Sequence, residues 1–284
     1  MIPGRLASPR GGLLRRAHFE FPYVEWDSEG PAAAPPIVLL HGLGSNARYW
    51  GRVAAHLPSR RLVALDLTPT DPADAAMAEL IADIAFAITA LGLGRPVVVG
   101  HSWGAGLGLE FVVAHPELVS GFVFVDGPIH GVARMFSWEE VQALMQPPFR
   151  HYSAPGEAFA ESHAYLGPAW GEDLEPYVEA GLTRDGEGFV SKLSSPVRLR
   201  ILRDLHDSDP ELLWPRVAVP AVALIARKSD ARISRSTDFG MERIGEIVPD
   251  IPIRRFATPH DIPLYAPREV AREIELIAER AGSG

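Results

Sequence analysis

The sequence contains no cysteine among its 284 residues. It can therefore form no disulfide, no thiolate nucleophile and no Cys-ligated metal site, and this composition fits a reducing, cytoplasmic location. No run of 18 or more apolar residues occurs, so we expect no membrane span. With a net charge of −9, the sequence shows no excess of basic residues of the kind that binds nucleic acid. The 47% of apolar residues suffices for a sizeable core, and nothing in the sequence specifies an oligomeric state.

Two motifs of metal and nucleotide enzymes are also missing. The sequence has neither the H-E-x-x-H pattern of zinc peptidases nor the G-x-x-x-x-G-K phosphate loop. We therefore expect no cofactor and no metal, and a small molecule as the partner of the protein.

The first residues are basic but lack the apolar stretch of a secretory signal. Arginine occurs there at positions 5, 10, 15 and 16. We predict a flexible N-terminal tail over residues 1–16.

Short apolar runs alternate with longer helical patterns along most of the chain. Runs that are apolar on both faces are typical of parallel strands buried between helices. They occur at 37–41, 62–67, 97–101, 121–126, 221–226 and 251–257. The alternation predicts an α/β fold with a doubly wound, mostly parallel sheet, built from residues 17–128 and 208–284.

Residues 129–207 break this alternation, because they contain several short helical patterns and no clear strand. A structureless loop of that length is implausible in a compact domain. We predict a helical cap over the carboxyl edge of the sheet, inserted after the sixth strand. Its aromatic residues either pack on the core or line a pocket.

The stretch "VVVGHSWGAG" contains the motif G-x-S-x-G around Ser102. A strand pattern precedes the motif and a helix pattern follows it, which is the setting of a strained turn that exposes a nucleophilic serine. The non-catalytic alternative is a serine that caps a helix in a glycine-rich turn. We interpret Ser102 as a nucleophile.

A serine nucleophile needs a base, and the base needs a carboxylate that orients it. His260 follows the last strand pattern, so it is expected at the same sheet edge as Ser102. Asp230 and Asp126 both follow strands that end at this edge. We prefer Asp230 as the acid because of the chain order Ser, Asp, His, and keep Asp126 as the alternative.

An oxyanion in the transition state needs preorganised N–H donors. The residue after the nucleophile, Trp103, is expected to supply one backbone N–H. The glycine-rich turn "HGLGSN" at residues 41–46 is expected to supply the other, from Leu43.

Together, "LLHGLGSNARYW", "VVVGHSWGAG", "FVFVDGP", "ARKSDARIS" and "PHDIPLYAP" resemble the α/β-hydrolase superfamily, in particular its cap-bearing serine esterase and lipase branch. The resemblance covers about residues 19–280. It implies the α/β-hydrolase fold, Ser102 as nucleophile, His260 as base and Asp230 as acid. The chain departs from the family in having Pro259, where relatives usually have glycine before the histidine.

This resemblance implies a serine hydrolase that cleaves carboxylic esters of small molecules through an acyl-enzyme. Three alternatives stay open: a serine peptidase on short peptides, a C–C bond hydrolase, and a non-hydrolytic ligand-binding protein or lyase. Residues 129–207 contain several acidic side chains. If these formed a cluster, it could bind a free amine and would favour the peptidase. Acidic residues on solvated helix faces are an equally good explanation.

Overall fold

The computed structural model describes residues 9–17, 19–28, 35–228 and 230–282. Its main element is an eight-stranded sheet with the strand order β1-β2-β4-β3-β5-β6-β9-β10. The pairs from β4 through β10 are parallel, while β1 and β2 form an antiparallel edge. The strands are β1 Arg10–Arg16, β2 Phe19–Trp26, β3 Ile37–Leu40, β4 Leu62–Leu65, β5 Val97–His101, β6 Gly121–Val125, β7 Leu182–Asp185, β8 Gly188–Ser191, β9 Ala221–Ala226 and β10 Ile253–Phe256.

Helices pack on both faces of this sheet, because the central strands are buried on both sides. One face is covered mainly by α2, α3, α7 and α9, and the other by α1, α10 and α11. The helices are α1 Gly51–Ala54, α2 Met77–Ala90, α3 Trp103–Ala114, α4 Trp138–Met145, α5 Pro155–Leu166, α6 Glu175–Ala180, α7 Ser195–Asp207, α8 Pro210–Leu213, α9 Ala231–Ile247, α10 Ile262–Tyr265 and α11 Pro267–Gly282. The doubly wound α/β architecture expected from the sequence is confirmed.

The prediction of a flexible N-terminal tail is wrong for residues 10–16. Strand β1 occupies residues 10–16 and pairs with β2 along its whole length, so these residues do not form a flexible tail. Leu14 is buried against the core, which gives the strand an apolar anchor. Residues 1–8 of the predicted tail lie outside the described residues.

Residues 129–207, here called the inserted segment, connect β6 towards β9 and contain helices α4 to α7. They also contain an antiparallel hairpin of β7 and β8, whereas no strand was expected there. Gly186 and Glu187 form the two-residue turn of this hairpin, and Gly186 has a φ of +60°. Glycine at the first position of a two-residue loop is a hairpin signal, so the sequence contained this information.

Candidate active site

Ser102 lies at the sharp turn between β5 and α3. Its backbone has φ 57° and ψ −122°, a sparsely populated region that a non-glycine residue adopts only where the surroundings impose it. The turn is tight enough that a Cβ on Gly100 would lie 2.1 Å from the Gly104 oxygen. A Cβ on Gly104 would lie 2.4 Å from the His41 oxygen. Both glycines of the motif are therefore required by close backbone packing.

Ser102, His260 and Asp126 form one chain of hydrogen bonds. The Ser102 hydroxyl lies 2.9 Å from His260 Nε2. On its other side, His260 Nδ1 donates to Asp126 Oδ2 at 2.5 Å. His260 is held in the tautomer that leaves Nε2 free to accept the serine proton. Pro259 does not prevent the loop from presenting His260 to Ser102.

The Asp126 carboxylate is buried at the end of β6, and both of its oxygens are used. Oδ1 accepts the backbone N–H of Ala226 at 2.8 Å, and Oδ2 accepts from Lys228 as well as from His260. Burial alone would raise the pKa of Asp126, but the hydrogen bonds and charges of His260 and Lys228 lower the pKa to about 2. The carboxylate is thus ionised at neutral pH and can stabilise an imidazolium.

The preference for Asp230 over Asp126 is corrected by this geometry. Asp230 lies at the N-terminus of α9, where its Oδ1 accepts from Arg232 N at 2.8 Å and from Ile233 N at 2.9 Å. Its carboxylate is exposed and caps the helix. Because β6 pairs directly with β5, Asp126 starts one strand closer to Ser102 than Asp230 does.

His101 has a positioning contact that the sequence did not indicate. Its Nε2 lies 3.1 Å from the His260 carbonyl oxygen and donates to it, while its ring stacks on Tyr49 at 4.9 Å. Burial, followed by the neighbouring His260, lowers the pKa of His101 to about 4. His101 is therefore neutral. Its hydrogen bond to the His260 carbonyl oxygen connects the His260 loop to the end of β5.

The turn at residues 41–46 approaches Ser102 closely. A Cβ on Gly42 would lie 3.2 Å from Ser102 Cβ. The turn is closed by Ser45 N donating to the Gly42 oxygen at 3.1 Å, which leaves the Leu43 N–H outside that bond. His41 supports the turn, because its Nδ1 donates to the Gly42 oxygen at 2.8 Å and its Nε2 accepts from Leu67 N at 3.1 Å.

Trp103 is the first residue of α3, so its backbone N–H has no acceptor within the helix. The helix N-terminus also carries partial positive charge. Within the described part of the chain, neither the Trp103 nor the Leu43 N–H donates a hydrogen bond. Both N–H groups therefore remain free to donate to a ligand.

Two cavities adjoin these residues. The first, here called the Ser102 cavity, has a volume of about 600 Å³ and is lined by Ser102, Trp103 and His260. Apolar side chains of the inserted segment also line it, among them Val132, Phe136, Val141, Leu144 and Met145. The second, here called the Arg198 cavity, has a volume of about 730 Å³ and shares Tyr165 with the first. The described residues include no His, Asp and Glu cluster that could hold a metal ion.

The comparison with protein families agrees with the fold. The sequence profile of the "Alpha/beta hydrolase family" matches residues 37–273. The chain belongs to the alpha/beta hydrolase family.

Individual relatives extend this alpha/beta hydrolase comparison. The chain is 27% identical over 256 residues to "Lipase LipV" of Mycobacterium tuberculosis, which covers 86% of the chain and 94% of that protein. The solved structure of E-2-(acetamidomethylene)succinate hydrolase superposes with a TM-score of 0.77 at 18% identity, covering 95% of this chain and 99% of that one. A thioesterase domain from the curacin biosynthetic pathway superposes with a TM-score of 0.75 at 15% identity, covering 94% and 99%.

These solved structures establish the fold of this alpha/beta hydrolase, and the lipase relative supports hydrolytic activity. No helix among the residues that the structure describes is long and apolar enough to cross a membrane.

Proposed function

We propose that the protein is a serine hydrolase that cleaves carboxylic esters of small molecules through an acyl-enzyme. The observation that carries this proposal is the chain from the Ser102 hydroxyl through His260 to Asp126, with distances of 2.9 Å and 2.5 Å. In this proposal Ser102 is the nucleophile, His260 the general base and Asp126 the acid. The backbone N–H groups of Leu43 and Trp103 form the oxyanion hole.

The reaction begins when Ser102 Oγ attacks the ester carbonyl carbon and His260 Nε2 takes the serine proton. The carbonyl oxygen becomes an oxyanion, which accepts hydrogen bonds from Leu43 and Trp103. His260 then gives its proton to the leaving alcohol as the carbon–oxygen bond breaks. In the second half, His260 removes a proton from water, the resulting hydroxide attacks the acyl-enzyme, and Ser102 is released with its proton restored.

The electrostatics suit this proton transfer. Attack generates an imidazolium on His260, and the ionised Asp126 lies directly against its Nδ1. The negative charge develops on the opposite side, near the N-terminus of α3. Charges that form during the reaction thus meet opposite charge or N–H donors already in place.

The Ser102 cavity supports an ester substrate with apolar parts. The inserted segment contributes apolar side chains to its wall, and a wall of this kind binds apolar groups and excludes water. We assign the inserted segment the role of the cap on this basis.

The peptidase alternative loses part of its support, because three acidic side chains of the inserted segment already have partners. Glu140 pairs with Arg232 at 2.6 Å, Asp173 pairs with Arg52 at 2.7 Å, and Glu161 accepts from Tyr152 at 2.9 Å. A cluster that binds a free amine would need unpaired carboxylates that converge on one point.

The proposal is tested with p-nitrophenyl esters of short to medium chain length, on wild type and Ser102→Ala. We expect the substitution to lower kcat by about 10⁴-fold or more. A fluorophosphonate probe should label wild type and leave Ser102→Ala unlabelled.

Ser236→Ala is the matched control, because Ser236 lines the same cavity but bonds to His130 at 2.7 Å instead of to His260. This control should keep labelling intact. Absence of turnover on every ester, or unchanged turnover in Ser102→Ala, would contradict the proposal. Ester inactivity combined with labelling at Ser102 would point to a C–C bond hydrolase, and no labelling would point to a binding protein.

A further inference from the structure

Arg198, in the first turn of α7, is a half-buried cation for which the structure describes no anionic partner. Its Nη1 donates to the Met145 carbonyl oxygen over a long 3.4 Å. No carboxylate among the described residues forms an ion pair with it. Its neighbour Arg200, in the same helix, pairs with Asp204 at 2.5 Å.

A charge left partly buried without a counter-ion is unfavourable. Burial lowers the pKa of Arg198, and no acidic neighbour opposes that effect. A guanidinium stays protonated in proteins all the same. An anion that entered this cavity would therefore gain a charge partner that the folded chain does not supply.

Arg198 lines the Arg198 cavity. The other charged side chains of the cavity wall do not neutralise its positive charge. The other charged residues of the wall are Arg150 and Glu161. Those two lie 3.6 Å apart, and Glu161 also accepts from the Tyr152 hydroxyl. Ser194 and Ser195, at the N-terminus of α7, line the cavity as well, and the partial positive charge of a helix N-terminus adds to that of the guanidinium.

The guanidinium also lies against the turn that carries Leu43. A Cβ on Gly44 would lie 2.8 Å from Arg198 Nη2, and a Cβ on Gly42 would lie 3.2 Å from Ser102 Cβ. The same turn therefore lies between Arg198 and Ser102, and Tyr165 lines both the Arg198 cavity and the Ser102 cavity.

We propose that Arg198 binds a carboxylate at the far end of the acyl chain, so that the preferred substrates are monoesters of dicarboxylic acids. This inference rests on the proposed ester hydrolysis. The leaving alcohol must lie beside His260, which gives it a proton and which lines the Ser102 cavity. The part of the substrate that passes the Leu43 turn towards Arg198 is therefore the acyl part. A planar guanidinium matches a carboxylate with two parallel hydrogen bonds.

The kinetic test compares mono-p-nitrophenyl adipate with p-nitrophenyl hexanoate, which have acyl chains of the same length and differ in the terminal carboxylate. The readout is the ratio of their kcat/KM values. We expect wild type to favour the adipate ester about tenfold or more, and Arg198→Met to lower the ratio by about 10- to 100-fold, as the loss of a charged hydrogen bond predicts.

Two further variants sharpen this test. Arg198→Lys keeps the charge but loses the planar fork, so its ratio should fall between those of wild type and Arg198→Met. Arg200→Met removes a cation that is already paired and should leave the ratio unchanged. A wild type that favours the hexanoate ester, or a ratio unaffected by Arg198→Met, overturns the inference.

A binding measurement separates this inference from the catalytic proposal. Calorimetric titration of Ser102→Ala with monomethyl adipate measures carboxylate binding without turnover. The additional substitution Arg198→Met should raise Kd about tenfold or more, whereas an unchanged Kd overturns the role of Arg198. If Ser102→Ala still hydrolyses esters, the catalytic proposal fails, and titration with adipate, which has no ester bond, decides the anion site.

Discussion

The turn after β6 and the turn after β9 carry the two carboxylates that compete for the role of catalytic acid. Both strands are parallel neighbours, so Asp126 and Asp230 lie at the same edge of the sheet. Asp126 is 3% exposed, whereas Asp230 is exposed to solvent and caps α9. The two turns therefore place the same functional group in opposite environments.

The two turns differ in their backbone geometry and in the partners of their carboxylates. Asp126 has a φ of +50°, and Gly127 packs so closely that an added Cβ would lie 2.8 Å from the backbone carbonyl oxygen of Ser102. That packing holds the Asp126 turn against the backbone of Ser102. Asp230 instead satisfies N–H groups at the start of a helix, as an N-cap residue does. Asp230 accepts from Arg232 N and Ile233 N through Oδ1, whereas the His260 ring bonds to Asp126.

The largest expected effect comes from replacing each carboxylate by its amide. Asp126→Asn should lower kcat on p-nitrophenyl esters by about 10⁴-fold, because the amide no longer holds the required tautomer of His260 or stabilises its charged form. Asp230→Asn should change kcat by less than about threefold, since asparagine is an equally good N-cap. Steady-state kinetics of the two variants, with their folding checked by circular dichroism, measure the contrast.

The reverse result, a large loss of kcat in Asp230→Asn with little loss in Asp126→Asn, would restore Asp230 as the acid. Comparable losses in both variants would mean that the two turns are coupled. Asparagine tolerates positive φ well, so Asp126→Asn is expected to fold.

The next effect is on the pH dependence of stability. The pKa of Asp126 is lowered to about 2, below the value of about 3.9 expected in the unfolded chain. Its contribution to the free energy of unfolding is therefore complete above about pH 4 and is lost as the pH falls towards 2. This contribution is on the order of 2 kcal/mol.

Urea unfolding at several pH values between about 5 and 2.5 tests this expectation. The acid-induced loss of unfolding free energy should be smaller in Asp126→Asn than in wild type. Asp230→Asn should follow the wild-type curve. Identical pH curves for wild type and Asp126→Asn would show that Asp126 is not held as a stabilised anion.

The sequence predicted the sheet, Ser102 and His260 from local signals. A strand, a glycine-rich turn and a helix around Ser102 share one short stretch, and the close contacts of Gly100 and Gly104 explain why the motif needs glycine. The sheet edge at which His260 lies follows from strand alternation alone. These features depend on local pattern, and the structure places them together as expected.

The choice of acid was not predictable in the same way. Asp126 and Asp230 both follow strands, and their difference depends on backbone geometry and on the partners that tertiary packing supplies. Lys228 donates to Asp126, although in the sequence it stands two positions from Asp230 and far from Asp126. The partners of a carboxylate are set by contacts between distant residues, and one sequence does not reveal them.

The smallest effect concerns the helix cap at the turn after β9. Asp230→Ala removes the acceptor for Arg232 N and Ile233 N and should lower the free energy of unfolding by about 1 kcal/mol. Asp230→Asn keeps an acceptor and should lower it by only a few tenths of a kcal/mol. Urea unfolding at neutral pH compares the two, and kcat on p-nitrophenyl esters should stay within about threefold in both. A loss of stability without a loss of turnover would show that this carboxylate serves the helix, whereas a loss of turnover in Asp230→Ala at unchanged stability would place it in the reaction.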